Sequence, residues 1–265
     1  MRAQEGLGQV RREQVRCQVR PQMRSEVRRQ VRAQELSRVS GGRRLEKGSS
    51  GESGAGSLLL SAYAALAGRG AHLFGDLLEG QALRQWEHYP QDDATDASGG
   101  YQWFYHSHSP EDRQETAEHG HIHLFARRPL WGRRLRSRAE KEFSQLCGLP
   151  RANPNTRHLL AIGFDAKGVP MSLFTVNSWV TGDLMLSGDL TLEVLASMRL
   201  DTGHPEIDTV IESTVHLCMP EISELMRARD RALAAHAGPD RLEDRSRERL
   251  SQIRIDLDTK LEGVA

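Results

Sequence analysis

Hydrophobic positions along the chain fall into three regimes. In residues 14–37 an apolar residue recurs every fourth position, at Val15, Val19, Met23, Val27 and Val31, inside units such as Gln-Val-Arg-Cys and Gln-Val-Arg-Pro. A period of four drifts about 40° per repeat on a helix of 3.6 residues per turn, so the stripe winds away from any single partner. Pro21 interrupts it further. Followed by the Gly/Ser-rich stretch Gly48 to Ser57, residues 1–57 read as a disordered, basic, low-complexity segment. The alternative reading is a basic arm that touches an acidic partner or a membrane surface.

From Leu58 the spacing becomes helical, over Leu58 to Leu66 and Ala71 to Trp86, with Gly68-Arg69-Gly70 as the break. His88 to Gly100, with Pro90, Asp92, Asp93, Asp96 and paired glycines, reads as loop, its aspartates as turn formers. One of those carboxylates could instead fold over neighbouring histidines and orient an imidazole. Period-two and continuous apolar runs then predict four strands, Tyr101 to His108, His119 to Arg127, Arg157 to Phe164 and Met171 to Ser178. Their short or polar connections favour antiparallel pairing.

Helical spacing returns over Leu190 to Leu200 and in segments opening near Pro205 and Pro220, prolines that suit a first helical turn. The expected class is α+β, with an antiparallel sheet of about four strands, N-terminal helices and a C-terminal helical layer. Residues 58–238 form the single domain in this reading, and residues 239–265 a charged C-terminal helix or tail.

Charge sharpens the division. The whole chain is formally neutral, but residues 1–57 hold 13 Lys or Arg against 6 Glu, which leaves 23 basic and 30 acidic residues in 58–265. An acidic body is a poor phosphate-binding surface, which argues against nucleic acid as its partner. The longest apolar run, Leu58 to Ala67, is too short to cross a bilayer, and an internal run makes a poor signal peptide. Cys17, Cys147 and Cys218 show neither a disulfide framework nor thiolate zinc spacing, so a reducing, cytoplasmic setting is expected.

The candidate chemistry lies in residues 101–127. Residues two apart on a strand share a face, so His106 and His108 point one way, and His119, His121 and His123 share a face of the next strand. If the two strands form a hairpin, these faces can coincide and bring five imidazoles to one place. Desolvated imidazole nitrogens each need a partner, so stability alone gives no reason to gather them. A transition metal does: Fe, Mn, Zn and Cu all accept imidazole, with Glu118 as a further ligand or a general base. A small-molecule substrate is a possible partner of such a site. His158 and His216, isolated on apolar segments, read as ordinary core histidines.

Four blocks resemble an uncharacterised bacterial family known as a domain of unknown function. They are Trp86-Glu87-His88-Tyr89-Pro90, Tyr105-His106-Ser107-His108, Glu118-His119-Gly120-His121-Ile122-His123-Leu124-Phe125 and Leu173-Phe174-Thr175-Val176-Asn177-Ser178-Trp179-Val180-Thr181-Gly182. The resemblance spans about Leu58 to His236, implies a bacterial origin and a single domain, and draws Asn177 and Trp179 toward the site. It carries no activity. The run His119 to Phe125 is also similar to the histidine-triad pattern of nucleotide hydrolases and transferases, which would make His121 a nucleophile toward phosphate. Gly120 departs from that pattern, and the flanking glycine-rich segment is missing. Three classes thus stand: a metal site or metal-dependent enzyme, a histidine-triad-like hydrolase, and a non-catalytic structural or interaction domain.

Overall fold

A sheet built around the four expected strands organises the chain. The computed structural model describes residues 50–78, 84, 87–107, 118–147 and 155–262. In order, the elements are α1 (Ser50–Gly68), α2 (Gly75–Leu78), β1 (Tyr89–Thr95), β2 (Tyr101–Ser107), β3 (Gly120–Arg127), α3 (Arg128–Trp131), α4 (Arg138–Cys147), β4 (Thr156–Phe164) and β5 (Pro170–Val176). Then come α5 (Ser178–Thr181), β6 (Leu184–Met185), α6 (Gly188–Ala196), α7 (Pro205–Leu217), α8 (Met219–Ala234), β7 (Arg249–Arg254) and α9 (Leu257–Glu262). The class is α+β.

The described strands number seven, running β1-β2-β3-β4-β5-β7 with every neighbour antiparallel, while β6 joins β4 in parallel. The sheet therefore exceeds the expected four strands. Both strands at its margins were missed for the same reason. β1 reads Tyr-Pro-Gln-Asp-Asp-Ala-Thr and β7 reads Arg-Leu-Ser-Gln-Ile-Arg, polar letters that suit exposed edges and hide the alternation of a buried strand. His88 to Gly100 is thus mostly strand, with Asp96 closing the turn to β2 by accepting from Ser98 N, Ser98 Oγ and Gly99 N. Residues 239–265, expected as a charged helix or tail, supply β7 before the short α9.

The front of the chain also differs from expectation where it is described. Helix α1 begins at Ser50, inside the Gly/Ser-rich stretch, and buries Ala55, Leu59 and Leu66, with Ala62 and Tyr63 packed beside them. This is a helical stripe, and Tyr63 Oη donates to Gly168 O at 2.7 Å. Residues 1–49, with the tetrapeptide repeat, lie outside the described residues, as do residues 79–83, 85 and 86 of the expected helix Ala71 to Trp86. Of that helix the described part holds α2, a single turn.

The sheet has two unlike faces. Trp103, Tyr105, Ile122, Leu124, Leu160, Ile162 and Leu173 join one hydrophobic cluster with Leu59 of α1, Val194 of α6, Val210 of α7 and Ile222 of α8. Each large side chain buried there stabilises the fold by about 2 kcal/mol. Trp103, fully buried, also donates its indole N–H to Asp208 Oδ1 at 3.0 Å, tying β2 to α7. On the opposite face Ala161, Phe174 and Val176 form a smaller patch with Val180, beside the positions of His106, His121 and His123.

Candidate metal centre

Pairing register decides which histidines meet. In the β2–β3 ladder His106 lies directly opposite His121, and Phe104 opposite His123. Opposed residues of an antiparallel pair share a face, so the imidazoles of the two strands converge. One cross-strand row runs His106, His121, Gly163, Ser172, and a second runs Phe104, His123, Ala161, Phe174. The ring centroids of His106 and His121 are 4.2 Å apart, and those of His121 and His123 4.7 Å. His106, His121 and His123 each offer a ligand nitrogen within 4.8 Å of the others.

Of the other expected ligands, His119 precedes β3, half-buried, donates its backbone N–H to Phe164 O, and is not in that group. His108 lies outside the described residues. Glu118 is buried at 5% exposure, and its Oε1 lies 3.0 Å from His121 Nδ1. Its Oε2 accepts from Ser172 Oγ, and Arg249 Nη2 lies 3.4 Å from Oε1 while its guanidinium sits over Phe174. Room for this carboxylate comes from Gly163, where a Cβ would sit 2.6 Å from Glu118 Oε2 and also against Ser172 Oγ. Gly120 serves in a similar way, since a Cβ there would press on the Tyr105 hydroxyl and sit 2.6 Å from His106 O.

A fourth histidine was missed from the sequence. Between β3 and β4 the register shifts, so Leu124 pairs with Leu160 but Phe125 pairs with His158, leaving Leu159 as an extra residue. Such a bulge reverses which face the following side chain meets. His158 therefore turns to the histidine side, its Nε2 3.0 Å from His123 Nδ1, and is not the ordinary core histidine expected. No local sequence signal marks the bulge. His216, by contrast, lies on α7, away from the cluster, with Nε2 3.3 Å from Arg199 Nη1.

These contacts make a buried chain from Glu118 through His121 and His123 to His158, with His121 Nε2 and His123 Nε2 3.0 Å apart. Burial, and then the neighbouring imidazoles of His121, His158 and His106, hold His123 well below the ordinary histidine value. Burial and the charge of Arg229 push His158 down to about 3. Both rings are therefore neutral at physiological pH, the form that has a lone pair to give. The Glu118 carboxylate accepts the Nδ1–H of His121 and leaves its Nε2 as that lone pair, the arrangement seen around metal-bound histidines.

Beside the cluster opens a cleft of about 300 Å³. His106 and His123 reach it from the sheet, Phe104 and Phe125 line its floor, and Val180 and Thr181 of α5 close one side. His88 lies flat on Phe104, ring centroids 3.6 Å apart, and is held by Asp93 Oδ1 at 3.0 Å. Asp93 is thus the acidic residue that orients an imidazole, and that imidazole is His88. Asn177 instead caps α5 and donates to Arg241 O, while Trp179 donates its indole N–H to Asp244 O, so both anchor the segment leading to β7.

The fold and this site define an α+β protein with a buried histidine cluster on one face of an antiparallel sheet. The chain belongs to the family described as Domain of unknown function (DUF6969), which matches residues 53–255. No curated protein and no solved structure matches it significantly. The histidine-triad resemblance gains no support from these comparisons. It also fits the geometry poorly, because His121 is 3% exposed with one ring nitrogen against Glu118 and the other against His123. No described helix is long and apolar enough to cross a membrane.

Proposed function

We propose that this chain holds one transition-metal ion on His106, His121 and His123 and uses it for catalysis in the adjoining cleft. The observation that carries the reading is the convergence of three imidazoles from two paired strands, one of them oriented by a buried carboxylate. Two nitrogens each about 2.1 Å from one ion stand roughly 3.0 Å apart at right angles and roughly 3.4 Å at the tetrahedral angle. The His121–His123 separation of 3.0 Å suits either with little adjustment. The widest span in the group, up to 4.8 Å, closes when the half-buried ring of His106 swings inward by roughly 1.5 Å.

Three protein ligands leave coordination positions open, which distinguishes catalytic sites from the closed shells of structural ones. A bound ion would supply Lewis acidity or an activated water. The protein's own residues set the rest. Glu118 fixes the His121 tautomer, His158 would accept the Nδ1–H of His123 if that ring presented its Nε2 lone pair to an ion, and Ser172 and Arg249 hold the Glu118 carboxylate in place. Imidazole ligands with no thiolate are compatible with Fe, Mn, Zn or Cu. A cytoplasmic setting accords with the free thiols of Cys147 and Cys218.

Elemental analysis of the full chain, expressed without an affinity tag, tests the site. The expected result is about one ion per chain, lost in His121→Ala and in His123→Ala. Protein that carries no ion and takes up none of the four metals on reconstitution would end the proposal.

A further inference from the structure

The cleft beside the histidines has a consistent polarity. Its lining includes two carboxylates, Asp93 and Asp183, three imidazoles, His88, His106 and His123, and two phenyl rings, and among the described residues no lysine or arginine. Among the described lining residues, an anionic group entering it would meet carboxylates and no fixed cation. The two acids are not equivalent. Asp93 is occupied on both oxygens, by His88 Nδ1 at 3.0 Å and by Gln102 Nε2 at 2.8 Å. Asp183 has a single side-chain donor among the described residues, the hydroxyl of Thr156.

Asp183 is also placed with little freedom. The left-handed Gly182, at φ +76°, ends α5, and β6 then pairs with β4, so that Asp183 is pinned beside Thr156 at the rim of the cleft. Burial raises its pKa, with Arg157 acting against the rise. That guanidinium lies 4.0 Å over the ring of Trp131, donates to Thr156 O, and is not part of the lining. A half-buried carboxylate with unused acceptor positions at the edge of an aromatic floor is suited to a cation brought in by a ligand.

We propose that the cleft binds a small primary amine with a flat apolar body, its ammonium on Asp183, its body against Phe104 and Phe125, and its far end toward His106 and His123. As the substrate class for the site this deepens the metal-centre reading, but the amine contacts themselves use no metal. Roughly 300 Å³ is at the small end of ligand pockets and accepts a single-ring compound with room for a second polar group.

Benzylamine, benzyl alcohol and benzoate differ chiefly in the charge of one group, and calorimetric titration of each into the full chain, before and after chelation, tests the proposal. In chelated protein benzylamine should bind at least about tenfold more tightly than benzyl alcohol, the scale of one charge-assisted hydrogen bond, and benzoate should bind weakest. Asp183→Asn should erase the difference between amine and alcohol without changing metal content, and Asp183→Glu should retain part of it. Equal binding of amine and alcohol by the unmodified chain, preference for benzoate after chelation, or no binding of any probe at millimolar concentration would overturn it. Metal content measured on the same samples separates the two readings. An amine preference in a chain that takes up no metal defeats only the metal centre, and a metal-loaded chain without the preference defeats only the amine site.

Discussion

Lowering the pH should destabilise this protein through the buried histidines, and the size of the effect follows from His158. Its folded value is about 3, and an unfolded histidine titrates near 6.5. The unfolded state therefore binds more protons throughout the interval between those values, and stability must fall as the pH falls. The stabilising contribution is fully present above about pH 6.5, is lost progressively below it, and is exhausted near pH 3. For one such group the loss relative to neutral pH is about 2 kcal/mol at pH 5 and approaches about 1.4 kcal/mol per further pH unit. His123, also held well below the ordinary value, adds in the same direction.

Urea denaturation of chelated protein at intervals from pH 7.5 to pH 5 reads this directly, and His158→Phe isolates the residue. The variant should be less stable at neutral pH, because His123 Nδ1 loses its neighbour at 3.0 Å, at a cost of about 1–3 kcal/mol. Its stability should fall less steeply with acid than that of the unmodified chain, by about 1 kcal/mol per pH unit around pH 5. Equal slopes for the two proteins, or stability that is flat or rises on acidification, would refute the assignment of His158 as a buried neutral ring.

Glu118→Gln keeps the shape but removes the charge opposite His121 Nδ1, and metal affinity measured by chelator competition should drop about 10–100-fold; unchanged affinity would remove Glu118 from the site. Gly163→Ala forces a methyl to within 2.6 Å of Glu118 Oε2, so thermal denaturation should show a loss of about 1–3 kcal/mol, accompanied by weaker metal binding. A variant that matches the parent in both respects would contradict the tight fit described for Gly163. Trp103→Phe, on the opposite face, should cost about 2–4 kcal/mol through lost volume and an unpaired Asp208 oxygen, yet leave metal stoichiometry unchanged, because Trp103 points into the other core.

Much of the sheet was legible because both faces of its central strands are buried. β2, β3, β4 and β5 fall within two residues of their expected ends, since buried strands demand apolar or aromatic letters in sequence. Helices α7 and α8 announced themselves through Pro205 and Pro220 in their first turns. The margins of the sheet were not legible. β1 and β7 carry polar residues because an edge faces water on one side, and such sequences look like turns or tails until a neighbouring strand pairs with them.

The histidine cluster divides along the same line. Local spacing determined that His121 and His123 share a face, because a strand repeats every two residues, and it made the meeting with His106 a matter of register alone. What tertiary structure decided was the register itself, which sets His106 opposite His121, and the bulge at Leu159 that turns His158 toward His123. It likewise decided the notch at Gly163 that admits Glu118, and the approach of Asp183 to the cleft from a segment about 60 residues further along the chain. Periodicity is a property of neighbours in sequence and can be read from them. The site depends on how strands align and where one of them slips, and those choices are fixed by the packing of both faces of the sheet together.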